Sequence, residues 1–209
     1  MTQKKIEDYI MVVPELFTKE FCKTAIEELD KETWHQHYYR DAKTGKVVGN
    51  KDENGENFYQ HIDPFSHTIG PETLTVLGCN TPKGIDVHKQ IMDKLWHAIQ
   101  EYQITKTDGN WDMWVGYTNV KYNRYSKDSS FDKHIDHTVG LNQGIPILSV
   151  IGQLNDEDDF DGGELIFCDD IEIKLNAGDV LMFPSNFMYP HQVKPIKKGK
   201  RYSYVTWVY

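Results

Sequence analysis

Two histidines and an aspartate in the second half of this chain have the types and spacing of a metal site. His134 and Asp136 are separated by one residue, and His191 follows much later in the chain. Alternate side chains of a strand lie on one face, so His134 and Asp136 can contact one metal ion while Ile135 faces away. Two imidazole nitrogens and one carboxylate oxygen leave coordination positions open, as in sites that hold Fe(II). The sequence therefore predicts an iron site formed by His134, Asp136 and His191.

A binding group for an anion follows ten residues after the third predicted ligand. Arg201 begins the segment RYSYVTWVY, in which strand alternation places four residues on one face: Arg201, Ser203, Val205 and Trp207. A guanidinium can bind a carboxylate through two parallel hydrogen bonds. We therefore expect Arg201 and the Ser203 hydroxyl to face the same ligand.

These residues lie in a series of motifs that resembles the 2-oxoglutarate and Fe(II)-dependent dioxygenases, in particular the prolyl 4-hydroxylase-like members. The resemblance covers roughly residues 114–209. It rests on RYSKDSSFDKHID, GGELIF, AGDVLMFPSNFMYPH and GKRYSYVTW, which occur in the order and at the spacing of the family. An H-x-D tripeptide alone is common, but its combination with a distant histidine and a later basic residue is specific.

The resemblance assigns a role to each predicted site residue. His134, Asp136 and His191 match the iron ligands of the family. Arg201 matches the residue that binds the far carboxylate of 2-oxoglutarate, and Ser203 fits an R-x-S variant of that anchor.

A tyrosine hydroxyl commonly binds the same carboxylate in the family. Tyr125, nine residues before His134, occupies the matching position. Tyr122 is a less well placed alternative. The resemblance thus implies that Tyr125 completes the cosubstrate site.

The activity implied by the resemblance is hydroxylation of an aliphatic C–H bond, with release of succinate and CO2. Fe(II) would be the cofactor, and 2-oxoglutarate and O2 would be cosubstrates. The prolyl 4-hydroxylase-like motifs favour a prolyl residue in a peptide or protein as the substrate. Two alternatives stay open: hydroxylation of a free amino acid or other small molecule, and a non-catalytic module that binds iron and 2-oxoglutarate.

Composition limits the class of protein. The 209 residues suit a single domain, which we expect to comprise supporting elements in residues 1–110 and a catalytic core in 111–209. The three cysteines are far apart in the sequence, which argues against a disulfide framework. The net charge of −9 argues against nucleic acid as a partner. No apolar stretch approaches the roughly 20 residues that span a membrane. We expect a soluble, cytoplasmic protein without a membrane or nucleic-acid partner; the sequence leaves its oligomeric state open.

The pattern of apolar residues predicts a mainly β fold with flanking helices (α+β), built on a double-stranded β-helix, the jelly roll of cupin-like proteins. Short β-branched and aromatic runs after Trp111 are typical of this core. The clearest predicted strands are PILSVIGQL, GELIF, IEIKL and DVLMF. The segment DYIMVV predicts an earlier strand, and Thr18 is a plausible N-cap for a helix that follows it. The spacing of apolar residues from Asp86 to about Tyr102 predicts a second helix.

Three polar segments are harder to assign. NDEDDFDGGE is interpreted as a solvated hairpin connection that turns at Gly162 and Gly163, and KPIKKGKR as a solvated turn before Arg201. The long segment HYYRDAKTGKVVGNKDENGENFYQHID is too irregular for one regular element. Residues 38–62 within it are expected to form a substrate lid or a disordered loop, with the tyrosines of this segment as candidate substrate contacts: Tyr38, Tyr39 and Tyr59.

Overall fold

The computed structural model describes most of the chain, with several gaps before residue 145. The described residues are 4–32, 34–36, 38–40, 47–49, 59–62, 86–107, 114, 116–137 and 145–209.

Two α-helices flank the strands in the described part of the chain. Helix α1 spans Lys19–Leu29, and the Thr18 hydroxyl caps it by accepting a hydrogen bond from the backbone N–H of Phe21 at 3.1 Å. Helix α2 spans Asp86–Lys106 and buries the predicted apolar row Val87, Ile91, Leu95, Ile99 and Tyr102. Both predicted helices are confirmed. Neither has the length and apolar character needed to cross a membrane.

Fifteen strands are present among the described residues. Numbered in chain order, they are β1 (Met11–Val13), β2 (His35–Gln36), β3 (Tyr38–Arg40), β4 (Val47–Gly49), β5 (Tyr59–Ile62), β6 (Lys121–Tyr125), β7 (Phe131–His134), β8 (Leu148–Gln153), β9 (Phe160–Gly162), β10 (Leu165–Phe167), β11 (Ile171–Ile173), β12 (Val180–Pro184), β13 (His191–Val193), β14 (Ile196–Gly199) and β15 (Arg201–Val208).

Two antiparallel sheets form the core of the fold. The larger sheet has the strand order β1-β12-β8-β15-β6-β5-β2, and the smaller has the order β11-β10-β13-β7. Strands far apart in the chain are thus neighbours in space, as expected for a jelly roll. The predicted fold class is confirmed.

The larger sheet separates two apolar clusters. Val180 and Met182 of β12 pack with α1 and α2 on one side, whereas Leu181 and Phe183 pack with the smaller sheet on the other. This burial on both faces explains why β12 is apolar along its whole length and why every residue of β8 is buried. The helices therefore cover the outer face of the larger sheet and leave its inner face to the space between the sheets.

Two segments interpreted as solvated connections contain strands. In NDEDDFDGGE a short 3-10 helix, Glu157–Asp159, leads into β9, which pairs with β14 of KPIKKGKR. The interpretation of KPIKKGKR was wrong because Ile196 is fully buried, while residues 197–199 of the strand are exposed. Gly162 and Gly163 have φ values of +79° and +71°, a backbone conformation that favours glycine. The predicted hairpin is nevertheless wrong, because Gly162 ends β9, and β9 pairs with β14 whereas β10 pairs with β11 and β13.

The polar segment before α2 also contains regular structure. Strands β3 and β4 pair with each other, and β5 joins the larger sheet beside β6. The segment is thus not one regular element, as predicted, although it contains these three short strands. The remainder of residues 38–62 and the tyrosine side chains lie outside the described residues, so the choice between a lid and a disordered loop stays a prediction. The strand predicted from DYIMVV is shorter than expected, because a 3-10 helix at Ile6–Tyr9 precedes β1.

Candidate metal centre

The three predicted ligands meet at the end of the smaller sheet. His134 is the last residue of β7 and pairs in register with His191, the first residue of β13. Asp136 follows β7 in a bend rather than continuing the strand as predicted. The bend nevertheless brings its carboxylate to both imidazoles, with Oδ1 at 3.5 Å from His134 Nε2 and Oδ2 at 3.8 Å from His191 Nε2.

These three side chains form a group that could hold a metal ion. One ligand atom from each lies within 4.8 Å of the others, and among the described residues no further histidine, cysteine or acidic residue joins them. His137 is exposed although it follows Asp136 directly. His88 is buried on α2 and shares a hydrogen bond with the Tyr122 hydroxyl at 3.1 Å.

Backbone carbonyls orient both imidazoles. His134 Nδ1 lies 2.7 Å from the carbonyl oxygen of Asp132, and His191 Nδ1 lies 3.1 Å from that of Tyr189. A carbonyl oxygen only accepts hydrogen bonds, so each Nδ1 carries the proton and each neutral ring has its lone pair at Nε2. Both lone pairs then face the Asp136 carboxylate, and three electron-pair donors converge without a proton between them. A bound cation removes the repulsion of such an arrangement, so the donor set fits a divalent metal ion.

The Asp136 carboxylate is held from behind by a serine. Ser149 Oγ donates to Asp136 Oδ2 at 2.7 Å, and Ser149 in turn lies 2.7 Å from the buried Ser185 hydroxyl. Burial alone would raise the pKa of Asp136, but the two histidines in their protonated form, together with the Ser149 hydroxyl, hold that pKa below its ordinary value. Ser149 and Ser185 are not predicted from the sequence, because each resembles any small polar residue near a strand.

Aromatic rings enclose His191. Phe167 stacks on the imidazole with ring centroids 5.2 Å apart, and Phe183 meets it edge-on at 4.9 Å. Only 4% of the His191 side chain is exposed, and burial lowers its pKa from the ordinary value. His134 is less covered, with Phe131 on one side at 4.3 Å. The imidazole of His191 is therefore kept neutral, which is the form that binds a metal.

A cavity of about 540 Å³ lies beside this group, between the two sheets. The four residues predicted to share one face of β15 all line it, together with alternate residues of β6: Arg201, Ser203, Val205, Trp207, Lys121, Asn123 and Tyr125. The predicted alternation of the β15 strand is thus confirmed. The structure brings all six predicted site residues to one cavity.

Arg201 and Tyr125 oppose each other across β15 and β6. The guanidinium carbon lies 5.4 Å from the centre of the Tyr125 ring, and both residues are buried. Burial raises the pKa of the Tyr125 hydroxyl to about 12, so this group stays protonated and can donate a hydrogen bond. Tyr122 belongs instead to the apolar cluster beneath the helices, on the other side of the sheet. Of the two tyrosines, the structure places Tyr125 beside Arg201.

A buried amide contacts Arg201 from the neighbouring strand. Arg201 Nε donates to Gln153 Oε1 at 3.0 Å, and Gln153 is 1% exposed. Gln153 lies opposite Ser203 in the register of β8 and β15. Gln153 is likewise not predicted from the sequence, because its contact with Arg201 depends on this pairing and not on any local motif.

Comparison with known proteins adds an independent finding to this geometry. Residues 120–209 match the family model described as the 2OG-Fe(II) oxygenase superfamily. The second half of this chain is thus similar to that superfamily, and the matched residues include all six predicted site residues. This match and the group formed by His134, Asp136 and His191 together support a dioxygenase-type oxidoreductase that uses Fe(II) as cofactor and 2-oxoglutarate and O2 as cosubstrates.

Curated relatives carry the name PKHD-type hydroxylase. One from Stenotrophomonas maltophilia is 28% identical over 165 residues, covering 73% of this chain and 71% of the relative. One from Prochlorococcus marinus is 36% identical over 92 residues, which is 43% of this chain and 40% of the relative. The chain thus spans less than half of the second relative.

Solved structures share the fold at low identity. A prolyl hydroxylase from Trichoplax adhaerens, in complex with a hypoxia inducible factor oxygen degradation domain peptide fragment, has a TM-score of 0.68 and 15% identity, covering 97% of this chain and 84% of its own. A prolyl-4-hydroxylase from Pseudomonas putida has a TM-score of 0.58 and 17% identity, covering 95% of this chain and 91% of its own.

Proposed function

We propose that this oxygenase hydroxylates an aliphatic C–H bond, with a prolyl residue in a peptide or protein as its substrate. The observation that carries the hydroxylase chemistry is the convergence of His134 Nε2, His191 Nε2 and the Asp136 carboxylate beside a cavity. Support for hydroxylation comes from the relatives named PKHD-type hydroxylase, and support for a prolyl substrate comes from the fold shared with solved prolyl hydroxylases, one of them in complex with a peptide fragment.

In this proposal His134, Asp136 and His191 bind Fe(II). Bound Fe(II), with 2-oxoglutarate and O2, supplies the oxidising chemistry that inserts one oxygen atom into the substrate and releases succinate and CO2. The chain fixes the ligand orientation through the backbone carbonyls of Asp132 and Tyr189. Such fixed ligands keep the open side of the site directed to the cavity.

Arg201, Ser203 and Tyr125 form the binding site for the far carboxylate of 2-oxoglutarate in this proposal. All three line the cavity and are almost fully buried. A buried carboxylate needs a charged partner, and a guanidinium with neighbouring hydroxyl groups satisfies its lone pairs. The two ends of the cosubstrate would thus be bound by different strands of the same cavity.

The cavity also has features that suit a small substrate. Lys121 lines it, and the Lys121 ammonium lies 5.4 Å from the centre of the Trp207 ring. An ammonium at this wall can bind a carboxylate, such as that of a free amino acid. We therefore keep hydroxylation of a free amino acid as the second candidate.

Succinate formation from 2-oxoglutarate tests the proposed chemistry. Protein loaded anaerobically with Fe(II) is exposed to O2, with and without a pool of proline-rich peptides. We expect succinate that increases with the peptides, and peptides heavier by one oxygen atom. His134→Ala and Arg201→Ala should abolish or strongly reduce succinate, whereas His137→Ala, which changes an exposed neighbour, should not.

The same assay separates the alternatives. Stimulation by free proline or another amino acid, without any effect of the peptides, would replace the prolyl-peptide substrate by the second candidate. Absence of succinate from iron-loaded protein under every condition would contradict the hydroxylase proposal and favour a non-catalytic binding module.

A further inference from the structure

A buried chain of amide groups lies behind Arg201, outside the cavity wall. Gln153 Oε1 accepts from Arg201 Nε at 3.0 Å, and Gln153 Nε2 donates to the backbone carbonyl of Asn155 at 3.1 Å. Asn155 Nδ2 then donates to the carbonyl of Lys200 at 2.9 Å, and Asn155 Oδ1 accepts from the Tyr202 N–H at 2.8 Å. The amides thus connect both backbone neighbours of Arg201 to its own side chain.

This network fixes which way the Gln153 amide points. Its Nε2 group can only donate, and its partners on Asn155 are two oxygens. The Oε1 atom is therefore directed at Arg201, and exchanging the two amide atoms would break three hydrogen bonds. Both Gln153 and Asn155 are buried, so water cannot replace these bonds at low cost.

The bond to Nε sets the orientation of the guanidinium plane. Because Nε–H is engaged with Gln153, a carboxylate in the cavity must be met by the two terminal amino groups, Nη1 and Nη2. A guanidinium matches a carboxylate only when its plane is correctly oriented, and side chains that hold it reduce the entropy lost on binding.

We propose that Gln153 is a positioning residue for the cosubstrate: it orients Arg201 and thereby determines the affinity for the far carboxylate of 2-oxoglutarate. This inference rests on the proposed role of Arg201 as the carboxylate anchor. Gln153 itself does not line the cavity, so it acts through Arg201 and not by contact. It belongs to β8, a different strand from every other residue assigned to the anchor.

Equilibrium binding of 2-oxoglutarate tests this role without turnover. The dissociation constant is measured by calorimetry on anaerobic, Fe(II)-loaded protein. Gln153→Leu should weaken binding about tenfold, because one hydrogen bond to a charged group is lost. In oxygen the same variant should raise KM for 2-oxoglutarate by a similar factor and change kcat much less. Gln100→Leu, on the exposed face of α2, is the matched control and should change neither.

A second 2-oxo acid separates positioning from general damage. 2-Oxopentanoate has the keto acid end but lacks the far carboxylate, so its affinity should be equal in Gln153→Leu and wild type. Gln153→Glu should weaken 2-oxoglutarate more than Gln153→Leu does, because its carboxylate pairs with Arg201 in competition with the ligand. This variant also serves as the test if Gln153→Leu fails to fold.

Arg201→Lys, which lacks the Nε–H group, distinguishes the inference from its premise. In that background Gln153→Leu should weaken binding no further. Equal losses of both 2-oxo acids in Gln153→Leu, or unchanged 2-oxoglutarate affinity, would overturn the positioning role while leaving the affinity loss in Arg201→Ala intact. Unchanged affinity in Arg201→Ala would overturn the proposed anchor and this inference together.

Discussion

Single residues at this site are held by hydrogen bonds from behind, and this support differs for each ligand. The imidazoles of His134 and His191 are oriented by carbonyls of their own strands or of the residues before them. Asp136 lies in a bend, where no strand fixes it, and it depends on the side chain of Ser149. We therefore expect metal binding by Asp136 to depend more on a single neighbouring side chain, that of Ser149, than metal binding by the two histidines depends on any one side chain.

Ser149→Ala should weaken metal binding while the fold is retained. Loss of a hydrogen-bond partner behind a ligand typically costs roughly 10- to 100-fold in metal affinity. The dissociation constant for Mn(II), a redox-stable substitute for Fe(II), can be measured by competition with a chelator. Ser185→Ala should have a smaller effect, because among the hydrogen bonds of the described residues the Ser185 hydroxyl contacts Ser149 and not Asp136. Equal effects of the two substitutions would contradict a direct role of Ser149.

Arg201→Ala should reduce the affinity for 2-oxoglutarate by two to three orders of magnitude or more. The reason is that removing one partner of a buried charge pair costs about 3 to 5 kcal/mol, and about 1.4 kcal/mol corresponds to a tenfold change. The measurement is the dissociation constant under anaerobic conditions. Arg124→Ala is the control, because Arg124 lies on the opposite face of β6 and pairs with Asp30 at 2.9 Å. A loss of similar size in both variants would indicate damage to the sheet instead of the anchor.

At the scale of elements, the order of strands decides which residues meet. Strand β15 lies between β6 and β8, so Arg201 and Ser203 acquire Tyr125 from one neighbour and Gln153 from the other. A shift of one residue in either register would turn these side chains to the helix-covered face. The site therefore depends on the antiparallel pairing of three strands that are distant in sequence.

This dependence explains what could be predicted from the sequence. The α2 helix, the β15 face and the motif with His134 and His191 were predicted because each has a local period or spacing. Ser149 and Gln153 have no local signal, because their partners are set by pairing with β15 and by the bend at Asp136. Strand β14 was missed for another reason, since one buried isoleucine between lysines does not form a period.

Helix α2 carries a buried histidine whose titration should affect stability. Burial lowers the pKa of His88 to about 4, from an ordinary value of 6.5. The unfolded chain therefore binds a proton in this window that the folded chain does not, so stability falls as the pH decreases from 6.5 towards 4. His88→Gln should remove about 2 kcal/mol of the decrease in unfolding free energy between pH 7 and pH 5.

Urea denaturation of wild type and variant at both pH values measures this difference. His97→Gln is a matched control, because His97 is exposed on the same helix. Contributions of all unchanged residues are common to the three proteins and cancel in the comparison. The same pH dependence in His88→Gln and wild type would show that His88 does not titrate between the two states as expected.

At the scale of the whole molecule, the two sheets have different contributions to the site. The smaller sheet supplies His134 and His191, and the larger sheet supplies Arg201, Ser203 and Tyr125. The proposed contacts of the two ends of 2-oxoglutarate thus lie on different sheets. Apolar residues such as Leu165 and Ile151 also line the cavity. A ligand that bridges the sheets should stabilise the molecule as a unit.

Metal and 2-oxoglutarate together should raise the melting temperature more than either alone. A ligand at 100 times its dissociation constant contributes about 2.7 kcal/mol to the folded state. For a chain of this size that corresponds to a rise of roughly 5 to 10 °C. Thermal denaturation with Mn(II), with 2-oxoglutarate and with both measures the effect, and a chelator should reverse it. The combined rise should be lost in His134→Ala and kept in His137→Ala. An equal rise with 2-oxoglutarate in chelator would contradict a site in which the metal and the cosubstrate bind side by side.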